Sequence, residues 1–335
     1  MDTVTQVVLG AAVGEAVLGR KVGRKAAFWG ALCGTLPDLD VLIPFGGPVA
    51  DFTYHRSFSH SLLVMALATP IIAWLIQKLH PAEACYRKGW YALVYLALAT
   101  HALLDSCTIY GTQMFWPLSD YPVTWGSVFI IDPVFTLPLT AGLIAVLLLK
   151  HPPGRGHVIN SVALAFSIVY LVWGFSAKQY AQRVAERSLA MQDLEYRDIV
   201  VLAAPFNTLL WRIVAMQDES YLVGWYSLLD PDDKVRFTSY PSETRWLRGL
   251  EDHWPVQRLR WFTKGFYRVS RDGEDIVVTD LRMGFEGGYV FSFKVGEAGN
   301  PHARPAADEM RREIRDLSEV KWVFRRIGDP GVLLD

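Results

Sequence analysis

Four apolar runs free of Asp, Glu, Lys and Arg stand out in the first half of the chain: residues 61–77, 89–104, 133–149 and 158–177. A helix crossing the hydrocarbon core of a bilayer needs about 20 mostly apolar residues, with about 17 as the lower limit. The four runs meet or approach that length, and 89–104 is the shortest. Two weaker segments precede them: 3–18, interrupted by Glu15, and 26–43, which runs into Pro37-Asp38-Leu39-Asp40. From Lys178 onward the pattern changes, with charges every few residues, as in a soluble protein. Apolar runs at 200–203, 209–215, 266–270, 276–280 and 289–295 read as strands. Asp272-Gly273 lies between the third and fourth of them, as in a β-hairpin. A helix is expected over 306–323. The pattern therefore predicts a membrane α-helical bundle of about six spans, two of them weak, followed by a soluble antiparallel α+β domain. The boundary is placed between 1–177 and 178–335.

Charge orients the bundle. If all six segments cross, Arg20, Lys21, Arg24, Lys25, Lys78, Arg87, Lys88, Lys150 and Arg155 fall on one side, and Arg56 is the only Lys or Arg in the loops of the other. Cytoplasmic loops carry the Lys and Arg excess. The expectation is thus a multi-pass protein of a bacterial-type cytoplasmic (inner) membrane, with both termini and the C-terminal domain extracytoplasmic. Residues 1–19 do not read as a signal peptide, because their basic cluster follows the apolar stretch. The net charge of −1 over 335 residues offers nothing to nucleic acid. Cys33, Cys85 and Cys107 are too scattered for a cysteine zinc motif and are expected to be free thiols.

The polar residues embedded in apolar surroundings collect at the outer end of the predicted bundle. Asp38 and Asp40 close the second segment, His55 and His60 precede the third, His101 and Asp105 end the fourth, and Asp132 opens the fifth. Ionisable side chains in spanning segments are costly and mark function. His101 and Asp105, four apart, share one helical face. Imidazole together with carboxylate suits a transition metal, zinc or manganese above all, as one ion or as a pair. Candidate ligands are Asp38, Asp40, His55, His60, His101 and Asp105; candidate catalytic residues are Arg56 and Asp40. Asp132 beside Pro133 reads equally well as a helix N-cap, and Arg56 either as an anion-binding group or as the ion-pair partner of a nearby Asp.

Three motifs carry a family resemblance: Gly30-Ala31-Leu32-Cys33-Gly34-Thr35-Leu36-Pro37-Asp38-Leu39-Asp40, His55-Arg56-Ser57-Phe58-Ser59-His60-Ser61 and His101-Ala102-Leu103-Leu104-Asp105. With Gly111-Thr112, Trp116-Pro117 and Phe129-Ile130-Ile131-Asp132-Pro133, they resemble the YdjM-type membrane-bound metal-dependent hydrolases over about residues 1–180. The resemblance implies a hydrolase using a divalent metal at Asp38, Asp40, His55, His60, His101 and Asp105. Many relatives have a His near the N-terminus where this chain has Gln6, which leaves open whether the first helix supplies a ligand. A site at the membrane surface points to the bilayer as partner and to a lipid or lipid-linked (phospho)ester as substrate. Two other functions use the same residues: a metal-ion transporter, or a structural or assembly protein without catalysis. A transporter needs polar groups leading inward, and the inner halves of the four strong runs carry no ionisable residue.

Overall fold

The computed structural model describes residues 1–149, 154–311 and 318–332. The chain divides into two compact units, Met1–Ile43 with His55–Gly174, and Pro44–Tyr54 with Phe175–Asp335. A helical N-terminal region is thus followed by antiparallel sheets, but an excursion of the chain just after Asp40 belongs to the second unit.

In the first unit, α1 (Thr3–Gly14) starts at Asp2, whose carboxylate accepts from Thr5 N, and runs through a π-helical turn, Glu15–Gly19, into α2 (Arg20–Val22). Gly23, at φ +64°, leads into α3 (Arg24–Thr35), a conformation that suits glycine. Helices α1 and α3 pack antiparallel through two glycine pairs, Gly10 and Gly14 facing Gly30 and Gly34. A Cβ at Gly30 would lie 2.2 Å from Gly10 O, and one at Gly14 2.3 Å from Ala26 O. Small residues four apart let helix backbones approach this closely in membranes. The remaining helices of this unit are α5 (Leu62–Leu79), α6 (Arg87–Ser106), α7 (Pro133–Leu148) and the first part of α8 (Arg155–Met191). The intervening α4 (Pro48–Tyr54) lies in the second unit.

Two helices, Leu62–Leu79 and Arg155–Met191, are long and apolar enough to cross a membrane, and Pro133–Leu148 is apolar but shorter. Their outward faces are apolar: Leu63, Leu67, Ile71 and Trp74 on α5, and Val158, Val162, Phe166 and Val169 on α8, are exposed. The unit's buried residues include Gln6, His60, His101, Asp105, Asn160 and Ser167. Apolar outside and polar inside is the arrangement a lipid solvent favours. Six segments of spanning length and composition are not found among the described helices: the continuous stretch Thr3–Val22 holds Glu15, Arg20 and Lys21, α3 has twelve residues and α6 includes Arg87, Lys88, His101 and Asp105.

The second unit holds two four-stranded antiparallel meanders. The first is β1 (Asp198–Ala203), β2 (Leu210–Met216), β3 (Ser220–Ser227) and β4 (Phe237–Pro241); the second is β5 (Tyr267–Asp272), β6 (Asp275–Asp280), β7 (Ser292–Glu297) and β8 (Arg304–Arg311). The predicted hairpin is β5–β6, with Gly273 at φ +61° as first loop residue. Ala181, Val184 and Ala185 of α8 pack with Trp211, Ile213 and Tyr226 of the first sheet. α4 enters this unit's core through Phe52, whose ring centroid is 4.9, 4.5 and 5.2 Å from those of Phe262, Phe291 and Phe293. Phe262 belongs to α9 (Trp254–Phe262).

The helix expected over 306–323 is corrected. Residues 306–311 finish β8, 312–317 lie outside the described residues, and the helix is α10 (Ser318–Gly328). Pairing with β7, where Lys294 faces Glu309, overrides the helix propensity of Ala306-Ala307-Asp308-Glu309-Met310. The strand expected from Tyr289 begins instead at Ser292.

Gly30→Ala should push α1 and α3 apart and cost about 1–3 kcal/mol, the usual range for overpacking. Thermal unfolding in detergent checks this; an unchanged transition would mean the backbones are not in contact.

Candidate metal centre

Asp38 lies in the 3-10 turn Pro37–Leu42 that follows α3, with Pro37 at its start. His60 ends the turn Phe58–His60, and Ser61 then caps α5 by accepting from Val64 N. His101 and Asp105 sit one turn apart on α6. These four residues bring one ligand atom each to within 4.8 Å of the others. His60 Nε2 lies 3.1 Å from His101 Nε2 and 3.2 Å from Asp105 Oδ2. Asp38 Oδ1 is 3.5 Å from both imidazole Nε2 atoms, and Asp105 Oδ2 is 3.4 Å from His101 Nε2. His60, His101 and Asp105 are wholly buried; Asp38 alone reaches the surface, its side chain 22% exposed.

The hydrogen bonds behind the rings fix which nitrogen of each neutral imidazole carries the proton. His101 Nδ1 is 2.6 Å from Gly34 O, a carbonyl that can only accept, so the proton is on Nδ1. Ser59 Oγ donates to Asp40 Oδ2 at 2.5 Å and lies 2.9 Å from His60 Nδ1, so it accepts from His60 Nδ1–H. Both Nε2 atoms are then bare lone pairs 3.1 Å apart. Asp38 Oδ1 and Asp105 Oδ2 face them, buried and without a hydrogen-bond donor. With both rings neutral, four electron-rich atoms converge on one point, an arrangement that a cation stabilises. A tetrahedron with metal–ligand bonds of about 2.0–2.2 Å has edges of about 3.3–3.6 Å, close to the five separations that involve an imidazole. The residues fit a divalent metal with two imidazoles and two carboxylates.

Arg56 flanks this cluster. Its Nε lies 3.1 Å from Asp105 Oδ2, its guanidinium sits 4.9 Å from the centre of the Tyr110 ring, and Nη1 is buried without a hydrogen-bond acceptor. The residue adopts φ +64°, a strained conformation for a non-glycine. Two hydrogen bonds hold it there, from Arg56 N to Asp40 Oδ2 at 2.9 Å and from Gln113 N to Arg56 O at 2.9 Å.

Of the six ligands expected from sequence, the structure brings together Asp38, His60, His101 and Asp105. Asp40 and His55 form a pair beside them: His55 Nδ1 is 2.7 Å from Asp40 Oδ1, and the His55 and His60 ring centroids are 6.1 Å apart. Asp40 is buried, and its oxygens are engaged by His55, Arg56 N and Ser59. Asp132 is the N-cap of α7, accepting from Val134 N and Phe135 N, and it also accepts from Tyr170 OH at 2.8 Å. The first helix supplies a support: Gln6 Nε2 donates to Asp105 Oδ1 at 3.0 Å, and the Met1 amine pairs with the same oxygen. All three cysteines are free. Sequence reasoning assigned no role to Ser59, although it lies inside the histidine motif. The Gly34 carbonyl had no signal at all.

A model of the YdjM inner membrane protein family matches residues 1–181, which include every residue of this cluster. The chain belongs to that family. Neither a curated protein nor a solved structure matches the chain. The YdjM match stops near the end of the first unit, so the sheets of the second are outside what it describes.

Metal analysis of the purified protein should find bound divalent metal that His101→Ala and Asp105→Asn each remove. Asp132→Ala should keep the metal while lowering stability by about 1–2 kcal/mol through loss of its cap. Metal retained after His101→Ala would refute the assignment.

Proposed function

We propose that this YdjM-family chain is a membrane-embedded hydrolase that uses a divalent metal, zinc or manganese, on a lipid or lipid-linked phosphoester. The carrying observation is the pair of imidazole Nε2 atoms, 3.1 Å apart with both Nδ1 atoms engaged behind them, facing two buried carboxylate oxygens that accept no hydrogen bond. A divalent ion bound there would polarise the scissile group and make water a stronger nucleophile.

The chain's own residues supply the remaining parts. Asp38, His60, His101 and Asp105 hold the ion, with Asp38 on the accessible side. Arg56, its Nη1 free to donate, binds an anionic oxygen of the substrate and offsets charge that builds there. His55 and Asp40 form an oriented imidazole–carboxylate pair. With Nδ1–H directed at Asp40, His55 Nε2 is the atom that can take a proton from water. Asp40 touches no reacting group in this scheme; it positions His55, the Arg56 backbone and, through Ser59, His60.

Access supports a substrate held in lipid. Leu39, Val41 and Leu42, on the same turn as Asp38, are all more than half exposed. Apolar side chains beside the only exposed ligand suit an interface with acyl chains. The six-span topology, with the basic loops cytoplasmic and the centre at the outer face, completes the proposal. It rests on the charge bias of the loops and on the apolar faces of α5 and α8.

Purified protein in detergent, reloaded with zinc or manganese, should release product from phospholipid or from a generic phosphodiester. His55→Gln should keep its metal and lose about 10²–10⁴-fold in rate, the usual contribution of a general base. If neither substrate is cleaved with metal bound, the hydrolase reading fails; if His55→Gln retains the full rate, His55 is not the base.

A further inference from the structure

The first unit contains a second ionisable pair, buried Glu15 and half-buried His157, that the metal centre does not use. Glu15 opens the π-helical turn, its side chain 6% exposed, and its carboxylate lies against Gly19, where a Cβ would stand 2.2 Å from it. The helix thus widens by one residue and omits a side chain at the spot the carboxylate occupies. Turns of this kind recur at functional sites. Glu15 Oε1 is 3.5 Å from His157 Nδ1, yet Oε2 and that Nδ1 are both buried without a hydrogen-bond partner. They border a cavity of about 650 Å³, also lined by Arg20, Arg24, Val146 and Leu149.

From this cavity we infer a binding site for a phospholipid headgroup that pairs a phosphate with a primary ammonium, as in phosphatidylethanolamine. Glu15 Oε2, a buried carboxylate oxygen, needs a donor, as does His157 Nδ1 in the Nε2–H tautomer, and an ammonium carries three. Two protein ligands are too few for a closed metal site. Arg20 and Arg24, both exposed at the cavity, offer guanidinium donors that match a phosphate, Arg20 with its whole planar fork and Arg24 with the donors left after Nη2 bonds Leu147 O. A lipid is favoured over a soluble zwitterion because α7, which gives Val146 to the cavity lining, carries exposed apolar residues on the same last turns, Ile144, Leu147 and Leu148, which suit acyl chains. The inference is independent of the metal centre and of hydrolysis.

Lipid retention by the metal-loaded protein, read by native mass spectrometry in detergent, tests it. Phosphatidylethanolamine should be retained about 5–10-fold more than phosphatidylcholine, whose quaternary nitrogen has no N–H, and more than phosphatidylglycerol, which has no cation. Glu15→Gln should erase the preference, whereas Arg20→Ala should weaken all three lipids alike, with metal content unchanged in both variants. Equal retention of the ethanolamine and choline lipids by the unaltered protein would overturn the site, and that arm needs no variant to fold. A preference that survives Glu15→Gln would also overturn it, leaving Glu15 and His157 as a structural pair. If soluble glycerophosphoethanolamine competes as strongly as the lipid, the lipid assignment falls.

Discussion

Two imidazole Nε2 atoms and two carboxylate oxygens that accept no hydrogen bond share one buried space. Their mutual repulsion is the constraint around which the helical unit is organised. In water such groups would turn outward, and in lipid they have nowhere better to go. Each is therefore held from behind. Gly34 O accepts from His101 Nδ1–H, Ser59 Oγ accepts from His60 Nδ1–H and donates in turn to Asp40, and Gln6 donates to the far oxygen of Asp105. Such outer hydrogen bonds set ring orientation and tautomer at metal sites. The arrangement leaves both Nε2 atoms as acceptors facing a common point.

Backbone proximity makes those supports possible. Gly34 can offer its carbonyl to His101 because α3 lies close to α1 and α6. The close approach of α3 to α1 depends on Gly10, Gly14, Gly30 and Gly34 having no side chains. The same helices place Gln6 of α1 against Asp105 of α6. Helix packing and site chemistry are thus one problem: the glycine contact that stabilises the bundle also sets where the outer acceptors sit.

Much of this was legible in the sequence. The apolar runs located α5, α7 and α8, and embedded His and Asp residues located the centre, because placing such groups in an apolar setting is costly enough to be informative. The Val- and Ile-rich runs located β1, β2, β5 and β6. What escaped was whatever tertiary context decides. The Ala- and Glu-rich start of the supposed last helix is strand because β7 is beside it, and β3 and β4 were overlooked between clearer strands. The glycine spacing on α1 and α3 was present in the sequence but passed over, since its meaning depends on the two helices meeting. The division of labour within the histidine motif was not legible at all. His55 and His60 differ by which carboxylate each faces, and that depends on the turn geometry around Arg56.

That turn explains why six candidates resolve into four ligands and a supporting pair. At φ +64° Arg56 reverses the chain between the two histidines, sending His55 toward Asp40 and His60 toward Asp38 and Asp105. Asp40 then accepts three hydrogen bonds from the very segment it orders: His55, the Arg56 amide and Ser59. A carboxylate so engaged has little capacity left for a metal, while Asp38, two residues earlier, has a bare buried oxygen. Strain at Arg56 persists because these bonds over-determine the backbone, the usual condition for such conformations at functional sites. The guanidinium gains a fixed position beside Asp105 and Tyr110, with Nη1 still free. The spare donor and the spare acceptors are thus products of a single turn, and this links the cation's place to the place where an anionic substrate would be held.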